Sequence, residues 1–257
     1  MSDSNRSIPR NLTDEERQFY SRTILIPEIG EEGQSKLLNS SVLVIGAGGL
    51  GSPALYYLAA SGIGRIGIAD SDIVELSNLN RQILHGHPDL GESKTASARR
   101  SLEQLRPDME IEEYSFRIDS SNGPGIAKAY DFVVEATDNF QSKFLINDIC
   151  IETGRAFSHA GILGMYGQTM TVVPDKSPCY RCVFTEAPAP GKVKTTAELG
   201  VLGTVPGVLG TIQATEALKY LLGMDGLLTG ALLTYDAAAM TFRKVRLPMD
   251  KRCQVCS

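Results

Sequence analysis

The sequence predicts an α/β protein with a Rossmann-like, mostly parallel sheet, helices on both faces, and an extension of antiparallel strands in the C-terminal half. A β-branched run at residues 42–45 leads directly into a glycine-rich turn and then into a helical segment. Short apolar strands and helical segments then alternate, which is typical of a parallel sheet covered by helices. After Phe157 the predicted strands become longer, as in antiparallel sheets.

The first strand–helix–strand unit surrounds the glycine-rich segment 46–51, Gly-Ala-Gly-Gly-Leu-Gly. Residues 52–61 have a helical composition, and Gly62 provides a stop for that helix. The second strand, residues 65–69, ends at Asp70. A unit of this kind binds nucleotides when the glycines let the backbone approach a phosphate at the helix N-terminus.

Capping residues delimit several of the other elements. Thr13 and Glu16 have the spacing of a capping box, and Ser93 can cap another helix. Pro206 is placed to open a helix, which Gly223 closes. The further predicted elements are a helix to about residue 106, strands at 110–116 and 131–135, a helix ending at 154, and antiparallel strands within 166–173 and 231–247.

Length and composition predict one domain over residues 1–257, with an N-terminal helical arm at about residues 12–40. The net charge of −5 argues against a broad nucleic-acid surface, so we expect no nucleic-acid partner. Residues 1–10 are polar and lack the apolar centre of a signal peptide. No apolar run is long enough to cross a bilayer, so a cytosolic protein without a membrane partner is expected.

The segment 183–204 has no predicted secondary structure and is rich in proline, glycine and lysine, including Pro188, Pro190, Gly191 and Lys194. A connection of this length is uncommon in a compact domain and is usually functional or disordered. We interpret it as a mobile crossover loop that passes over the active site. A plain surface excursion is the alternative interpretation.

The glycine-rich turn indicates a nucleotide site. Gly46, Gly48 and Gly51 would cradle the phosphates, and Asp70 could accept a hydrogen bond from a ribose hydroxyl. Asp72 is a second candidate for the ribose contact. The pattern by itself suggests NAD as the default ligand, and a turn that only permits close packing is the structural alternative.

Four of the five cysteines form two Cys-x-x-Cys pairs. Cys179 and Cys182 make the first pair, and Cys253 and Cys256 make the second. Two such turns can supply a tetrahedral four-sulfur zinc site, which would hold the C-terminal tail and would be structural because four thiolates fill the coordination shell. Disulfides and redox dithiols are alternatives that a cytosolic location disfavours. Cys150 falls on an apolar helix face and is expected to be an inert core thiol.

Polar and charged residues cluster where the predicted strands end. The segment 77–82, Ser-Asn-Leu-Asn-Arg-Gln, follows the second strand. Lys94 lies in the first turn of its helix, where the macrodipole disfavours a cation unless an anion binds there. Asp138 follows a buried strand at the edge where open α/β sheets bind ligands. Each signal is weak alone, and their positions relative to the glycine-rich turn make them candidate site residues.

Taken together, these motifs resemble the MoeB/ThiF/HesA family of adenylyltransferases in order and spacing. The resemblance extends from about residue 12 to residue 256, and Tyr20-Ser-Arg22 is similar to the family's N-terminal arginine motif. The glycine-rich turn alone would not be specific, whereas the combination is. The segments that carry the resemblance are 46–51, 70–72, 77–82, Lys94, 137–139 and the two cysteine pairs.

The resemblance implies an ATP-binding fold with a single continuous sheet, and a homodimer. It implies that Gly49 lies against ATP, that Asp70 holds the ribose, and that Asp138 holds magnesium with Asn139 beside it. It also implies that Arg22 enters the active site of the partner subunit. It implies that Asn78, Arg81 and Lys94 contact the phosphates, and Ser77 is expected to be a further cofactor-binding residue.

The implied reaction is the attack of a carboxylate on the α-phosphorus of ATP, which yields an acyl-adenylate and pyrophosphate. The carboxylate would be the C-terminal glycine of a small ubiquitin-like sulfur-carrier protein ending in Gly-Gly. Because both reactants are anions, the expected catalytic contribution is electrostatic stabilisation and positioning by cations. The expected catalytic residues are Arg22, Arg81, Lys94 and, through magnesium, Asp138. No protein nucleophile is required, and the histidines are expected to be structural or surface residues: His85, His87 and His159.

In one respect the sequence differs from part of the family. Some members carry a loop cysteine that forms a persulfide or thioester, whereas the loop here reads Thr195-Thr196-Ala197-Glu198. The chain also ends at Ser257 without a sulfurtransferase domain. We therefore expect adenylation only, with sulfur delivered by another protein. The pathway, whether for molybdopterin, thiamine or tRNA thiolation, stays open.

Three other functions compete with this one. A superfamily relative could adenylate a modified tRNA nucleoside or a peptide, although the acidic net charge disfavours the nucleoside. A dehydrogenase is supported only by the glycine-rich turn, and titration with NAD against ATP would separate the two. A non-catalytic nucleotide-binding scaffold would not need Arg22, Arg81, Lys94 and Asp138 together.

Overall fold

The structure is a computed structural model that describes residues 11–189, 192–193 and 196–256. The polar segment 1–10 and part of the predicted crossover loop lie outside the described residues, namely Pro190, Gly191, Lys194 and Thr195. The described strands form one eight-stranded sheet in the order β3-β2-β1-β4-β5-β6-β7-β8. The strands are β1 Ser41–Ile45, β2 Arg65–Ala69, β3 Glu110–Tyr114, β4 Phe132–Glu135, β5 Ala156–Leu163, β6 Tyr166–Val172, β7 Ala231–Asp236 and β8 Thr241–Arg246.

Ten α-helices surround this sheet within the described part of the chain. They are α1 Asp14–Phe19, α2 Ser21–Ile24, α3 Gly30–Leu38, α4 Gly51–Ala60, α5 Lys94–Leu105, α6 Gly123–Lys128, α7 Phe140–Thr153, α8 Tyr180–Val183, α9 Thr196–Leu199 and α10 Thr204–Leu222. No helix in the described ranges is long and apolar enough to span a bilayer.

The pairing of the strands confirms the predicted fold class. The pairs β3–β2, β2–β1, β1–β4 and β4–β5 are parallel, and the pairs β5–β6, β6–β7 and β7–β8 are antiparallel. The change of direction therefore occurs after β5, at the turn before Tyr166. Strand β5 itself was missed from the sequence, because its Ser158, His159 and Gly161 interrupt the apolar run expected of a buried strand.

Local capping chemistry explains why the predicted helices form. Thr13 and Glu16 make the reciprocal hydrogen bonds of a capping box at α1. The Ser93 side chain accepts a hydrogen bond from the backbone N–H of Ala96 at the start of α5. Helix α10 ends at Gly223, whose φ of 75° is the left-handed conformation that favours glycine after a helix. Helix α3, within the predicted arm, was not identified from the sequence.

The core lies on both faces of the parallel strands. On one face, Val42, Val44 and Ile66 pack towards α4, α5 and α10. On the other face, Leu43 and Val133 pack towards α7 and α8. Burial on both faces explains why the central strands β1 and β4 are largely apolar, whereas the edge strand β3 is mostly polar. Every residue of β8 is exposed, so this edge strand contributes no buried side chain.

Candidate active site and metal centre

A cleft of about 870 Å³ opens at the carboxyl ends of the parallel strands and continues onto the antiparallel strands. Open α/β sheets bind ligands at this edge because the loops that leave the strands surround a crevice there. Eight of the twelve predicted active-site and cofactor-binding residues line the cleft: Gly46, Gly48, Gly49, Asp70, Arg81, Lys94, Asp138 and Asn139. The remaining four do not line it: Arg22, Gly51, Ser77 and Asn78.

The glycines of the turn between β1 and α4 have two different roles. Gly46 has a φ of 102°, and a Cβ there would lie 2.6 Å from the carbonyl oxygen of Ala136. A Cβ on Gly51 would overlap the carbonyl oxygen of Gly46. These two positions therefore require glycine for packing, as the structural alternative supposed. Gly48 and Gly49 line the cleft, as Gly46 does, and a Cβ there would not clash with backbone, so their role is to leave the backbone accessible to a ligand.

Asp70 holds the glycine-rich turn in place. One carboxylate oxygen accepts a hydrogen bond of 2.8 Å from the backbone N–H of Ala47, and the other accepts one of 2.9 Å from the N–H of Asp72. The half-buried Asp70 carboxylate thus lies at the end of β2, at the wall of the cleft, with its orientation fixed.

Lys94 lies at the start of α5 and forms an ion pair of 2.8 Å with Asp72. The Lys94 side chain is only 7% exposed, whereas that of Asp72 is 67% exposed. An anion was predicted beside Lys94 at the N-terminus of α5, and Asp72 supplies part of this negative charge. Both residues line the cleft, so an anionic ligand there would meet the ammonium group of Lys94.

The segment that follows β2 presents Arg81 to the cleft. Its guanidinium donates to the backbone oxygen of Ser77 at 2.8 Å and to the side-chain oxygen of Asn80 at 3.2 Å. Asn78 is buried, and its side-chain oxygen accepts from the backbone N–H of Glu75, so it shapes the segment. Gln82, which was not singled out from the sequence, is buried and lines the cleft.

Asp138 and Asn139 occupy the turn between β4 and α7. Asn139 is the N-cap of α7, and its side-chain oxygen accepts a hydrogen bond of 2.9 Å from the backbone N–H of Ser142. Asp138 is exposed at the cleft, with its carboxylate accessible to a cation. The cap therefore fixes the backbone beside the predicted magnesium ligand.

A buried ion cluster lies under this turn and was not identified from the sequence. Glu135, at the end of β4, is 3.1 Å from the Lys143 ammonium nitrogen and 2.7 Å from Nδ1 of His159. Lys143 also donates to the backbone oxygens of Thr137 and Ala160. Burial alone would raise the pKa of the Glu135 carboxyl, but the Lys143 charge and the His159 hydrogen bond hold this pKa at about 2. An acid ending an otherwise apolar strand is the signal that could have identified it.

We expect the isosteric change Glu135→Gln to destabilise the fold by roughly 3–5 kcal/mol, because it leaves the Lys143 ammonium buried without a counter-charge. A carboxyl whose pKa is depressed in the folded state stabilises the protein above its unfolded pKa and loses that contribution as pH falls. The difference in the free energy of unfolding between wild type and variant should therefore have its full size above about pH 4.5 and shrink towards pH 2. Urea unfolding at several pH values measures it.

The matched control is Glu152→Gln, which neutralises an exposed carboxylate on α7. This variant should unfold within about 0.5 kcal/mol of the wild type at pH 7, as surface changes usually do. Equal stabilities for Glu135→Gln and the control would show that the buried cluster contributes nothing to folding.

The two Cys-x-x-Cys pairs come together at the base of α8. The sulfur separations are 4.0 Å for Cys179–Cys182, 3.7 Å for Cys179–Cys253 and 3.4 Å for Cys182–Cys256. A tetrahedron with zinc–sulfur bonds of about 2.3 Å has edges of about 3.8 Å, so these thiols fit a structural zinc ion. None of the five cysteines forms a disulfide in the described residues, and Cys150 is buried.

The electrostatics of the cluster favour the thiolate of Cys253 and oppose ionisation of Cys179 and Cys256, whose pKa values are raised by burial. Burial opposes ionisation of Cys253, but hydrogen bonds from the backbone N–H groups of Val255 and Cys256 outweigh it and lower the Cys253 pKa to about 7. Within the described residues these four cysteines are the only group of three or more potential metal ligands close enough to share an ion. They would join α8 to the C-terminal tail.

Arg22 stands apart from the other predicted site residues. It lies on α2, is exposed, and does not line the cleft of its own chain. The three histidines also differ in environment. His85 is buried, with Nδ1 2.8 Å from the Ser97 hydroxyl and Nε2 2.9 Å from the carbonyl oxygen of Ala47, whereas His87 is exposed.

Comparison with known proteins gives consistent matches over nearly the whole chain. The ThiF family matches residues 20–255. The SAMP-activating enzyme E1 of Haloferax volcanii is 48% identical over 237 residues, which cover 92% of this chain and 87% of that protein. The sulfur carrier protein adenylyltransferase of Thermus thermophilus is 43% identical over 249 residues, covering 95% and 92% of the two chains.

Longer proteins and solved structures also match. The adenylyltransferase and sulfurtransferase MOCS3 of Aedes aegypti is 44% identical over 247 residues, and this chain spans 56% of its length. A crystal structure of MccB from E. coli superposes with a TM-score of 0.82 at 23% identity, covering 93% of this chain and 74% of that one. This likeness shows the fold. The extent of the family match and the identity to full-length relatives show that this chain belongs to the ThiF family, and they confirm the enzyme class predicted from its motifs, an adenylyltransferase.

Proposed function

We propose that this chain uses ATP to adenylate the C-terminal glycine carboxylate of a small ubiquitin-like sulfur-carrier protein and releases pyrophosphate. One observation carries the proposal. The cleft places Gly48, Gly49, Asp70 and two cations, Arg81 and Lys94, at the edge of the sheet where a nucleotide would bind. The names of the relatives from Haloferax volcanii and Thermus thermophilus support the same activity.

The residues of the cleft suit this chemistry in distinct ways. Gly48 and Gly49 let the backbone approach the nucleotide, and the oriented carboxylate of Asp70 suits a ribose hydroxyl. Arg81 and Lys94 would offset the charge that develops as two anions react. The ion pair with Asp72 would hold the Lys94 ammonium group in place before ATP binds. No side chain needs to form a covalent bond, so the reaction depends on positioning and electrostatics.

Magnesium would be held by Asp138, with Asn139 beside it. The exposed carboxylate at the cleft is a hard oxygen ligand of the kind that magnesium prefers. When bound, the ion would neutralise phosphate charge and orient the triphosphate. The residues on either side of Asp138 are fixed by the chain itself. Lys143 of the buried cluster donates to the backbone oxygen of Thr137, and Asn139 caps α7.

Asp138→Asn should raise the magnesium concentration needed for half-maximal activity by roughly tenfold or more, because an amide oxygen replaces a charged ligand. The measurement is activity against magnesium concentration at saturating ATP. Asp225→Asn, an exposed carboxylate elsewhere on the surface, is the control and should leave the curve unchanged. A curve for Asp138→Asn that matches this control would remove Asp138 from the metal site.

We further propose a single cytosolic domain over the whole chain, with a crossover segment at about residues 183–204, of which Val193 and Thr196 line the cleft, and a tail held by zinc. No cysteine occurs between residues 183 and 204, so the product would leave as an adenylate and not as a thioester on that loop. Sulfur would then be delivered by another protein. We propose no nucleic-acid partner, given the net charge of −5.

The proposal is tested by ATP–pyrophosphate exchange with a panel of small ubiquitin-like carriers that end in Gly-Gly. Exchange that requires both magnesium and one of these carriers is the expected result. A carrier whose last glycine is removed should give no exchange, because the reacting carboxylate would be displaced. Exchange that proceeds equally without any carrier, or with none of them, would reject the proposed substrate class.

Arg22 is proposed to act in the active site of a partner subunit, because it does not line the cleft of its own chain. Arg22→Ala and Lys94→Ala chains should each be nearly inactive as homodimers. Co-expression should restore about a quarter of the wild-type activity, since half of the dimers are mixed and each has one intact site. Purified mixed dimers that stay inactive would place the role of Arg22 within its own chain.

A further inference from the structure

The wall of the cleft contains a buried imidazole nitrogen to which no described residue bonds. His159 lies on β5 and is 1% exposed. Its Nδ1 is 2.7 Å from a carboxylate oxygen of Glu135, whereas its Nε2 has no hydrogen-bond partner among the described residues. Buried polar atoms nearly always have a partner, so an exception at a ligand-binding cleft points to a ligand. His159 is one of the residues that line this cleft.

The neighbouring charges determine what this nitrogen can do. An ionised carboxylate accepts hydrogen bonds and donates none, so Nδ1 of His159 must carry the proton that bonds to Glu135. Burial lowers the pKa of His159, which favours the neutral ring. Nε2 therefore presents a lone pair and acts as an acceptor. The ring is held in this orientation by Tyr180, whose centroid is 4.5 Å away.

Nε2 is buried, and because residue 161 is a glycine, no side chain from that position lies beside it. A Cβ on Gly161 would lie 3.8 Å from Nε2 of His159 and 3.8 Å from the side-chain nitrogen of Gln168. Gln168 is the residue that pairs with Gly161 across β5 and β6. We call His159, Gly161 and Gln168 the His159 notch. It combines one fixed acceptor with an amide that can both donate and accept.

The position of the notch indicates which ligand reaches it. Gly48 and Asp70, which face the nucleotide in the proposed function, follow β1 and β2. The notch lies on β5 and β6, on the other side of the β4 turn that carries Asp138. The cleft continues from the notch to Thr234 and Arg243 on β7 and β8. A ligand that enters along these antiparallel strands would meet the notch before it reaches the nucleotide.

We propose that Nε2 of His159 accepts a hydrogen bond from a backbone N–H in the extended C-terminal segment of the substrate that is adenylated. This inference rests on the proposed function, since it concerns the second substrate of the same cleft. An extended peptide fits the notch because one backbone N–H can donate to Nε2 of His159 and a backbone C=O can accept from the amide nitrogen of Gln168. Glycine at position 161 favours this contact because a side chain there would partly cover the acceptor. His159 is a binding and positioning residue and takes no part in bond formation.

The first test observes the two ring nitrogens directly by ¹⁵N NMR of the full chain. The sequence contains only three histidines, so the signals can be assigned with single variants. Nδ1 of His159 should be protonated and Nε2 unprotonated in the free protein. A synthetic hexapeptide ending in Gly-Gly should shift the Nε2 signal to that of a bonded acceptor. His85, with both nitrogens bonded inside the protein, is the internal control and should not move.

The second test removes the acceptor from the protein and, separately, the donor from the peptide. His159→Asn can still donate to Glu135 from its amide nitrogen but has no atom in the place of Nε2. The probes are the same hexapeptide and analogues methylated at one backbone nitrogen each. Methylation of one nitrogen should weaken binding to the wild type by roughly five- to tenfold, as expected for one lost hydrogen bond, and should have no effect on the variant. Equal effects of methylation on both proteins would overturn the assignment.

A second variant guards against a merely structural effect. Gly161→Ala adds a methyl group at ordinary contact distance from both neighbours, so the fold should be retained while Nε2 is partly covered. It should raise the KM for the carrier and leave the Kd for ATP unchanged. Carrier-dependent exchange in the wild type with an unchanged carrier KM in both variants would overturn the notch alone. If no carrier supports exchange, the proposed function fails, and the ¹⁵N signal of Nε2 still tests the notch. A shift of this signal on addition of the hexapeptide supports the notch. No shift would show an acceptor that binds only water and would overturn it.

Discussion

Replacing Lys94 with alanine is expected to lower the rate of ATP–pyrophosphate exchange by at least ~100-fold, the usual effect of losing one electrostatic stabiliser. The Lys94 side chain is 7% exposed, so its charge acts on the cleft with little screening by water. The variant should fold normally, because its partner Asp72 is 67% exposed and loses little when it becomes unpaired. Exchange is measured at saturating carrier, magnesium and ATP.

Two controls separate this effect from a general loss of activity. Lys176→Ala removes an exposed lysine that does not line the cleft and should retain wild-type exchange. Asp72→Asn keeps the shape of the partner but removes its charge, so it should lower the rate less than Lys94→Ala does. A Lys94→Ala chain that exchanges within threefold of the Lys176→Ala control would contradict the phosphate role of Lys94.

The second large effect concerns the metal centre. Cys179→Ser should release the zinc and lower the unfolding temperature by roughly 10 °C or more, because binding of a structural metal contributes directly to the free energy of folding. Cys179 is fully buried, and its sulfur is within 4.0 Å of two other cysteine sulfurs. The measurements are metal content per chain, expected to be about one zinc in the wild type, and thermal unfolding.

The matched control is Cys150→Ala, which changes a cysteine that is equally buried but lies on α7 outside the cluster. It should retain one zinc and lose much less stability, since a small apolar side chain replaces another. Zinc retained at one equivalent in Cys179→Ser would show that the four cysteines do not share an ion. The absence of bound metal from the wild-type protein would lead to the same conclusion.

Much of the fold could be predicted because its signals are local. The capping box of Thr13 and Glu16 and the cap of Ser93 depend on residues three positions apart, and each lies where the sequence predicted it. The glycine-rich turn followed β1 as expected. Strand β5 was missed because its polar residues, among them Ser158 and His159, are buried by partners that no local pattern reveals.

The site was predictable to the extent that its motifs keep a fixed spacing. The two cysteine pairs could be matched to each other because each Cys-x-x-Cys turn is complete in itself, although 74 positions separate Cys179 from Cys253. The local contact of Asn78 could not be predicted in this way. Its side-chain oxygen accepts a hydrogen bond from the backbone N–H of Glu75, and this contact depends on the conformation of the segment.

The sequence by itself determined the family, the enzyme class, the alternation of strands and helices, and the residues that could carry charge or metal. It could do so because propensity, capping and motif spacing act over a few residues. The tertiary structure decided which of these residues share one cleft, that Lys94 pairs with Asp72, and that Glu135, Lys143 and His159 form a buried cluster. These contacts join strands and helices distant in the chain, and their free energy depends on burial, which exists only after the sheet has formed.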